Sequence, residues 1–151
     1  MAYGNYLATV SEQEVLTLRK EPDHLLKTGS IAKVSHLIAY WIDVQPLGQL
    51  LNEALDGGEV LSPHLWHPLR KPTFHSPERA SHLFKQLRKV WNEAVQRNAL
   101  GQAAMFRQEI ERLLEIFREA DRLGQGVASV LEPPMDNERA GKVRIPFAVE
   151  G

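Results

Sequence analysis

The spacing of apolar residues divides the chain into short extended segments and longer helical ones. Residues 3–9 contain β-forming side chains and precede Ser11 and Glu14, whose three-residue spacing is typical of a capping box at a helix start. Because proline disfavours helical geometry in the preceding residue, this helix is predicted to end near Glu21, before Pro22. The chain is therefore predicted to open with a strand and a short helix. Asp23 is then predicted to cap a brief turn.

The segment between Ser30 and Trp41 fits two interpretations. Its apolar residues recur at three- and four-residue steps, which predicts a helix that begins at Ser30, although the stretch could instead contain a strand. A second apolar stripe at helical spacing runs from Leu47 to Leu55 and ends at Gly57 and Gly58, residues suited to the left-handed conformation at a helix end. Residues 59–75 lose this periodicity and contain three prolines, so an irregular connection with at most short strands is predicted there.

Two long amphipathic helices are predicted in the second half of the chain. Ser76, Pro77 and Glu78 supply a cap, a first-turn proline and a first-turn acid for the first helix, and Gly124 ends the second. The predicted buried faces are Ala80, Leu83, Phe84, Leu87, Val90, Trp91 and Ala94 in the first helix, and Met105, Phe106, Ile110, Leu113, Leu114, Phe117 and Ala120 in the second.

A closing strand is predicted for Val127 to Leu131, because β-branched and small apolar residues lie there between Gly126 and two prolines. Residues 142–149 alternate apolar and polar positions but include Pro146, which restricts them to an edge strand or a docked extended segment. The predicted fold is α+β: one helix-rich domain with a small, mainly antiparallel sheet and two long packed helices, over residues 1–151, with 133–151 as a C-terminal extension.

Composition supports a globular protein of one domain. The 151 residues are 43% hydrophobic and 25% charged, with a net charge of −1. The chain has no cysteine, which excludes disulfides, thiolate metal sites and a thiol nucleophile. We see no secretion signal at the N-terminus and no apolar run near the ~20 residues that a membrane span needs, so a cytoplasmic protein without membrane contact is expected.

Candidate catalytic and metal sites are weak. His64, His67, His75 and His82 lie close in sequence but lack the helical His-Glu-x-x-His arrangement of a zinc site, so no metal or other cofactor is predicted. Ser129 lies within a predicted strand rather than at a strand-to-helix turn, which gives no support to a hydrolase. We therefore expect a protein that is not an enzyme, although the sequence does not decide this.

Charge is unevenly distributed along the chain. Residues 70–97 contain seven bases and two acids, a net +5, whereas residues 109–138 contain three bases and eight acids, a net −5. The structural interpretation is that the two long helices carry complementary rims, which would set their packing. The functional interpretation is a basic face that binds an acidic protein. The net charge of −1 and the lack of a recognised motif argue against nucleic acid. This face comprises His82, Lys85, Arg88 and Lys89.

The irregular connection combines aromatic and cationic side chains, the types enriched at binding hot spots. Anchoring of a long loop to the core explains the same residues equally well. The candidate binding loop comprises His64, Trp66, His67, Arg70, Phe74 and His75.

Strings of residues along most of the chain resemble the YfbM-like family of small bacterial proteins of unknown function. The first part of the resemblance comprises Gly4 to Leu7, Val10 to Glu14, Glu21 to Asp23 and Ile42 to Val44. The remainder comprises Gly57 to Val60, Phe74 to Glu78, Phe117 to Ala120, and Gly124 through Val130 to Leu131. The stripe from Leu47 to Leu55 lacks the family's aromatic and histidine side chains, and residues 133–149 have no counterpart. The resemblance implies an α+β fold and transfers no catalytic residue.

Two functions are therefore expected as alternatives. The first is a binding protein without catalytic activity, such as a bacterial immunity-type protein that neutralises a toxin or an enzyme. The second is a small-molecule-binding domain or enzyme with a pocket near residues 64–75.

Overall fold

A computed structural model describes residues 4–20, 31–35, 42–61 and 73–132. These residues form five strands and four α-helices in an α+β arrangement. The strands are β1 (Gly4–Val10), β2 (Ile31–Ser35), β3 (Glu59–Val60), β4 (Thr73–His75) and β5 (Gly126–Glu132). The helices are α1 (Glu12–Lys20), α2 (Leu47–Asp56), α3 (Pro77–Gln96) and α4 (Arg107–Leu123), and a 3-10 helix (Gly101–Phe106) precedes α4. The predicted fold class is confirmed.

The five strands form one sheet in the order β2-β1-β5-β4-β3, and every neighbouring pair is antiparallel. The central pair is the longest, since all seven residues of β1 face residues of β5, from Gly4 opposite Glu132 to Val10 opposite Gly126. Every residue of β1 is buried, so both of its faces are covered. The predicted opening and closing strands therefore lie side by side at the centre of the sheet.

The helix predicted from Ser30 is wrong over the described part of that segment. Ile31–Ser35 is a strand that pairs with β1, with Ala32 opposite Leu7 and Val34 opposite Asn5. The three-residue spacing of Ile31 and Val34 fits a helix, but the edge of β1 offers backbone hydrogen bonds that local spacing does not reveal. The strand alternative is the correct one.

Helix α1 begins with the predicted capping box. The backbone N–H of Glu14 donates to Ser11 Oγ at 3.3 Å, and the N–H of Ser11 donates to Glu14 Oε1 at 2.9 Å. The helix ends at Lys20, next to the predicted boundary. Its buried residues Val15 and Leu18 cover the sheet.

Helix α2 confirms the predicted stripe, but its end differs from the prediction. Gly57 follows the helix with a φ of −86°, so it does not adopt the left-handed conformation. The close approach of β4 explains the second glycine, because a Cβ on Gly58 would lie 2.9 Å from the backbone nitrogen of Phe74.

Helices α3 and α4 are the two long helices expected, and they pack against each other. Ser76 Oγ accepts a hydrogen bond from the N–H of Arg79 at 3.2 Å, and Gly124 ends α4 with a φ of +66°, as predicted. One predicted core residue is wrong: Met105 lies in the 3-10 helix and is 68% exposed, because that tighter helix displaces it from the buried face of α4.

Hydrophobic clusters lie on both faces of the sheet. Alternate residues of β1 point in opposite directions, so Tyr6, Ala8 and Val10 pack beneath α1 while Leu7 faces the other helices. The larger cluster fills the space between the sheet and helices α2, α3 and α4. Its largest fully buried side chain is Phe117 of α4.

Several predictions fall outside the described residues. These are the turn after Asp23, the stretch from 36 to 41, most of the irregular connection (62–72) and the extension (133–151). The single domain over residues 1–151 stays a prediction.

Candidate functional site

The predicted basic face lies on the outer side of α3. His82, Lys85, Arg88 and Lys89 are all exposed, and they are opposite the buried Leu83, Leu87 and Trp91. Helical spacing of three and four residues places them along one side, over about two turns. The structure therefore brings these four residues together on one surface.

The basic face is not neutralised by α4. Lys85 and Lys89 have no ion-pair or hydrogen-bond partner within the described residues, and Arg88 has its guanidinium carbon 5.1 Å from the centre of the Phe84 ring. Three of the acidic residues of α4 pair with arginines of the same helix. These pairs are Arg107 with Glu111 at 3.4 Å, Arg118 with Glu115 at 3.5 Å, and Arg122 with Glu119 at 3.1 Å.

Pairing within α4 also determines the titration of one carboxylate. The hydrogen bond from Arg122 lowers the pKa of Glu119, and it raises the pKa of Arg122. No ion pair joins α3 to α4 in the described part of the chain. The observed pairs therefore do not form the complementary rims of the structural interpretation.

A groove of about 1050 Å³ lies beside the basic face, between α2 and α3. We call it the α2–α3 groove. Lys89 belongs both to its lining and to the basic face, so the two surfaces are continuous. The lining residues are Val44, Gln45, Pro46, Gln49, Leu50, Asn52, Glu53, Gln86, Lys89, Val90, Glu93, Ala94, Arg97 and Ala99.

Local contacts hold the end of the groove at the start of α2. The side-chain oxygen of Gln45 accepts a hydrogen bond from the N–H of Gln49 at 3.2 Å, which fixes the turn before the helix. A Cβ on Gly48 would lie 2.5 Å from the carbonyl oxygen of Ile42, so only glycine lets the preceding segment approach α2 this closely. Towards the C-terminal end of α2, Glu53 forms an ion pair with Arg79 of α3.

Two of the six residues in the candidate binding loop are described, and they face opposite sides of the sheet. Phe74 packs against the smaller cluster beneath α1. His75 is 2% exposed, and its ring centroid lies 5.9 Å from that of Phe117 in the larger cluster. His64, Trp66, His67 and Arg70 lie outside the described residues, so the loop as a binding site stays a prediction.

Strands β4 and β5 hold the end of α2 through buried polar contacts. His75 Nε2 lies 3.1 Å from the carbonyl oxygen of Ala54, and Ser129 Oγ donates to the carbonyl oxygen of Leu55 at 3.0 Å. Thr73 Oγ1 lies 3.0 Å from Ser129 Oγ. Because the last carbonyls of a helix lack partners within it, these side chains satisfy groups that burial would otherwise leave unpaired.

Burial also makes protonation of His75 less favourable. Loss of water around the ring lowers its pKa, and the hydrogen bond to Ala54 opposes this only in part. The ring is therefore neutral, with Nε2 as the donor to the carbonyl. Its Nδ1 is buried and has no hydrogen-bond partner among the residues that the structure describes.

Other candidate chemistry has no support in the described residues. Residues 4–20, 31–35, 42–61 and 73–132 contain no group of three or more His, Asp or Glu side chains that could hold a metal ion. The hydroxyl of Ser129 is occupied by a backbone carbonyl. None of the helices described has the length and apolar character that crossing a bilayer requires.

Sequence analysis missed the α2–α3 groove. One signal was available: Gln45, Gln49 and Asn52 follow one another at four and three residues, on the polar side of the Leu47 to Leu55 stripe. Side-chain amides at such spacing share one helix face. Their arrangement opposite Gln86 and Arg97 depends on how α2 packs on α3, which the sequence pattern does not give.

Comparison with known proteins supports the fold and gives no activity. No protein-family model matches the sequence, and no curated protein matches it significantly. The structure is similar to the crystal structure of YfbM from Escherichia coli, a protein of unknown function, with a TM-score of 0.54 and 13% sequence identity. The match covers 85% of this chain and 99% of YfbM. The YfbM-like fold implied by the sequence resemblance is therefore confirmed.

Proposed function

We propose that this protein binds an acidic protein through the basic face of α3 and has no catalytic activity of its own. The observation that carries the proposal is that Lys85 and Lys89 are exposed and have no ion-pair or hydrogen-bond partner within the described residues, although α4, with its five acidic residues, packs against the same helix. Cations that do not stabilise the fold through ion pairs remain available to a partner. Such a surface steers an oppositely charged protein into contact and raises the association rate.

A protein suits this surface better than a nucleic acid does. The whole chain has a net charge of −1, and α4, which packs against α3, contains five acidic and four basic residues. The excess of positive charge is therefore confined to one face, whereas the uniform negative charge of a phosphate backbone favours a broader basic surface. A protein can present a local acidic patch to the basic face and neutral surface elsewhere.

Within this class, the proposal is an immunity-type protein in the bacterial cytoplasm, which neutralises a toxin or an enzyme by covering it. Small size and polarised charge support this choice. An inhibitor of this kind needs a rigid surface rather than catalytic groups, and a twenty-residue helix packed on a core supplies one.

The experiment is a pull-down from native lysate with the purified chain as bait. The double variant Lys85→Glu/Arg88→Glu reverses two charges of the basic face and should abolish retention of the partner. Arg107→Glu/Arg118→Glu makes the same change in net charge on exposed residues of α4 and serves as the matched control.

Retention should also fall as salt is raised, because exposed charges are screened. If no protein is retained by the wild type and lost from the basic-face variant alone, the proposal is overturned.

A further inference from the structure

We propose that the α2–α3 groove binds an extended acidic segment of the partner protein, with carboxylates about four residues apart seated on Lys89 and Arg97. This inference rests on the proposed function and assigns it a second, more specific contact. The groove adjoins the basic face at Lys89, so one partner can occupy both surfaces. Its volume of about 1050 Å³ lies at the upper end of the range for ligand pockets, so it has room for a short peptide segment.

The two cations determine the spacing of the ligand's charges. Lys89 and Arg97 line the groove, and neither has an ion-pair partner within the described residues. Eight residues of α-helix separate them, which corresponds to about 12 Å along the axis. In an extended peptide, side chains four residues apart point to the same side and lie about 13 Å apart. Two acidic side chains at this separation can therefore contact both cations at once.

The residues that line the groove between the two cations restrict which side chain the ligand can carry between its two carboxylates. Glu93 lies one helical turn from Lys89 and one from Arg97, so it repels a third carboxylate between them. Leu50, Val90 and Ala94 give this part of the groove an apolar character. The side chain midway between the two acidic ones should therefore be apolar and uncharged.

Side-chain amides supply partners for the ligand backbone. Gln49 and Asn52 line the groove from α2, and Gln86 lines it from α3. Each amide contains both a donor and an acceptor, as a peptide bond does. Nucleic acid fits this lining poorly, because the Glu93 carboxylate between the two cations would face one of its evenly spaced phosphates. The chemistry of the groove therefore favours an extended peptide.

The test is an NMR titration of the isotopically labelled full chain with the blocked peptide Glu-Ser-Leu-Ser-Glu. Its two carboxylates and its leucine lie on one side of the extended form. Saturable shifts are expected for the side-chain amides of Gln49, Asn52 and Gln86. The neutral peptide Gln-Ser-Leu-Ser-Gln should bind at least about tenfold more weakly, because it lacks both charge contacts.

Variants distinguish binding in the groove from a general dependence of binding on the net charge of the protein. Lys89→Gln/Arg97→Gln should weaken binding of the acidic peptide about tenfold. Arg107→Gln/Arg118→Gln removes the same charge from α4 and should leave this affinity unchanged. Glu93→Gln should strengthen binding of Glu-Ser-Glu-Ser-Glu, since the repelling carboxylate is gone.

The outcomes distinguish this inference from the proposed function. If the acidic and neutral peptides produce the same shifts, or if no groove amide shifts, the inference is overturned. A partner that is lost with Lys85→Glu/Arg88→Glu would still support the proposed function in that case. If instead the acidic peptide binds the groove selectively but no partner depends on the basic face, the groove stands as a peptide site and the proposed function fails.

Discussion

His75 and Ala54, 21 residues apart in the sequence, join β4 to α2 through a hydrogen bond of 3.1 Å between the ring Nε2 and the carbonyl oxygen. The carbonyl belongs to the last turn of α2, and the ring belongs to β4. Burial keeps the ring neutral, and the carbonyl would otherwise lie in the core without a donor. This contact fixes α2, one wall of the α2–α3 groove, to the sheet.

The first prediction is that stability falls with acid through His75. Its pKa in the folded protein is below the ordinary value near 6.5 that applies in the unfolded chain. Below about pH 6.5, the unfolded state therefore binds a proton that the folded state does not, so the contribution present at higher pH is lost as pH falls. The loss should reach at most about 1.4 kcal/mol per pH unit for this one proton.

Urea unfolding of the wild type and of His75→Gln between pH 8 and pH 5 measures this effect. The variant lacks the ring, so its free energy of unfolding should depend less on pH in this range. His82→Gln, which removes an exposed histidine from α3, serves as the control. Parallel pH profiles for wild type and His75→Gln would contradict the prediction.

The second prediction concerns Ser129, which holds the neighbouring carbonyl of α2. Ser129→Ala leaves the carbonyl of Leu55 without its donor in a buried position, which should cost about 1–3 kcal/mol of unfolding free energy. Thr73→Val removes only the hydroxyl that lies beside Ser129 and is half-buried, so its effect should be smaller. Urea unfolding of both variants measures the two losses of unfolding free energy. A larger loss for Thr73→Val would show that the hydrogen bond from Ser129 to the Leu55 carbonyl is not the main contribution.

The third prediction compares Gly124, which ends α4, with Gly126, which begins β5. A Cβ on Gly126 would lie 2.4 Å from the carbonyl oxygen of His75 and 2.4 Å from the Phe74 ring, so Gly126→Ala forces β4 and β5 apart. Overpacking of this kind typically costs about 1–3 kcal/mol or more. Gly124 has open space around it but a φ of +66°, so Gly124→Ala should cost only about 1 kcal/mol. Thermal unfolding should rank Gly126→Ala as the less stable, and the reverse order would refute the steric argument.

Elements defined by local chemistry could be predicted from the sequence. Ser11 and Glu14 form their capping box, Ser76 caps α3, and Gly124 ends α4, because each signal acts within one helical turn. At Ile31–Ser35 the helix interpretation failed and the strand alternative is correct, because pairing with β1 decides the structure. The prediction also failed at Met105, which the 3-10 helix leaves exposed.

The candidate sites also differ in whether they depend on one helix or on contacts between segments that are distant in the sequence. The basic face of α3 could be predicted, because its four residues lie on one helix at regular spacing. The buried position of His75 could not, since its partner is in α2 and the covering ring of Phe117 is in α4. The α2–α3 groove likewise depends on contacts between two helices that the sequence separates.

The last prediction is that the basic face contributes little to folding. Lys85 is exposed and has no ion-pair partner in the described residues, so Lys85→Glu should change the free energy of unfolding by no more than about 0.5 kcal/mol. Arg88→Ala should cost up to about 1 kcal/mol, because it removes the contact with the Phe84 ring. Leu87→Ala truncates a fully buried side chain on the opposite side of α3 and should lower the free energy of unfolding by about 2–5 kcal/mol. It is the reference for a position that does stabilise the fold. Urea unfolding of the three variants would check this order. If Lys85→Glu lowered the free energy of unfolding as much as Leu87→Ala does, the basic face would stabilise the fold. Its cations would then have a structural role, which would contradict the argument that they are available to a partner.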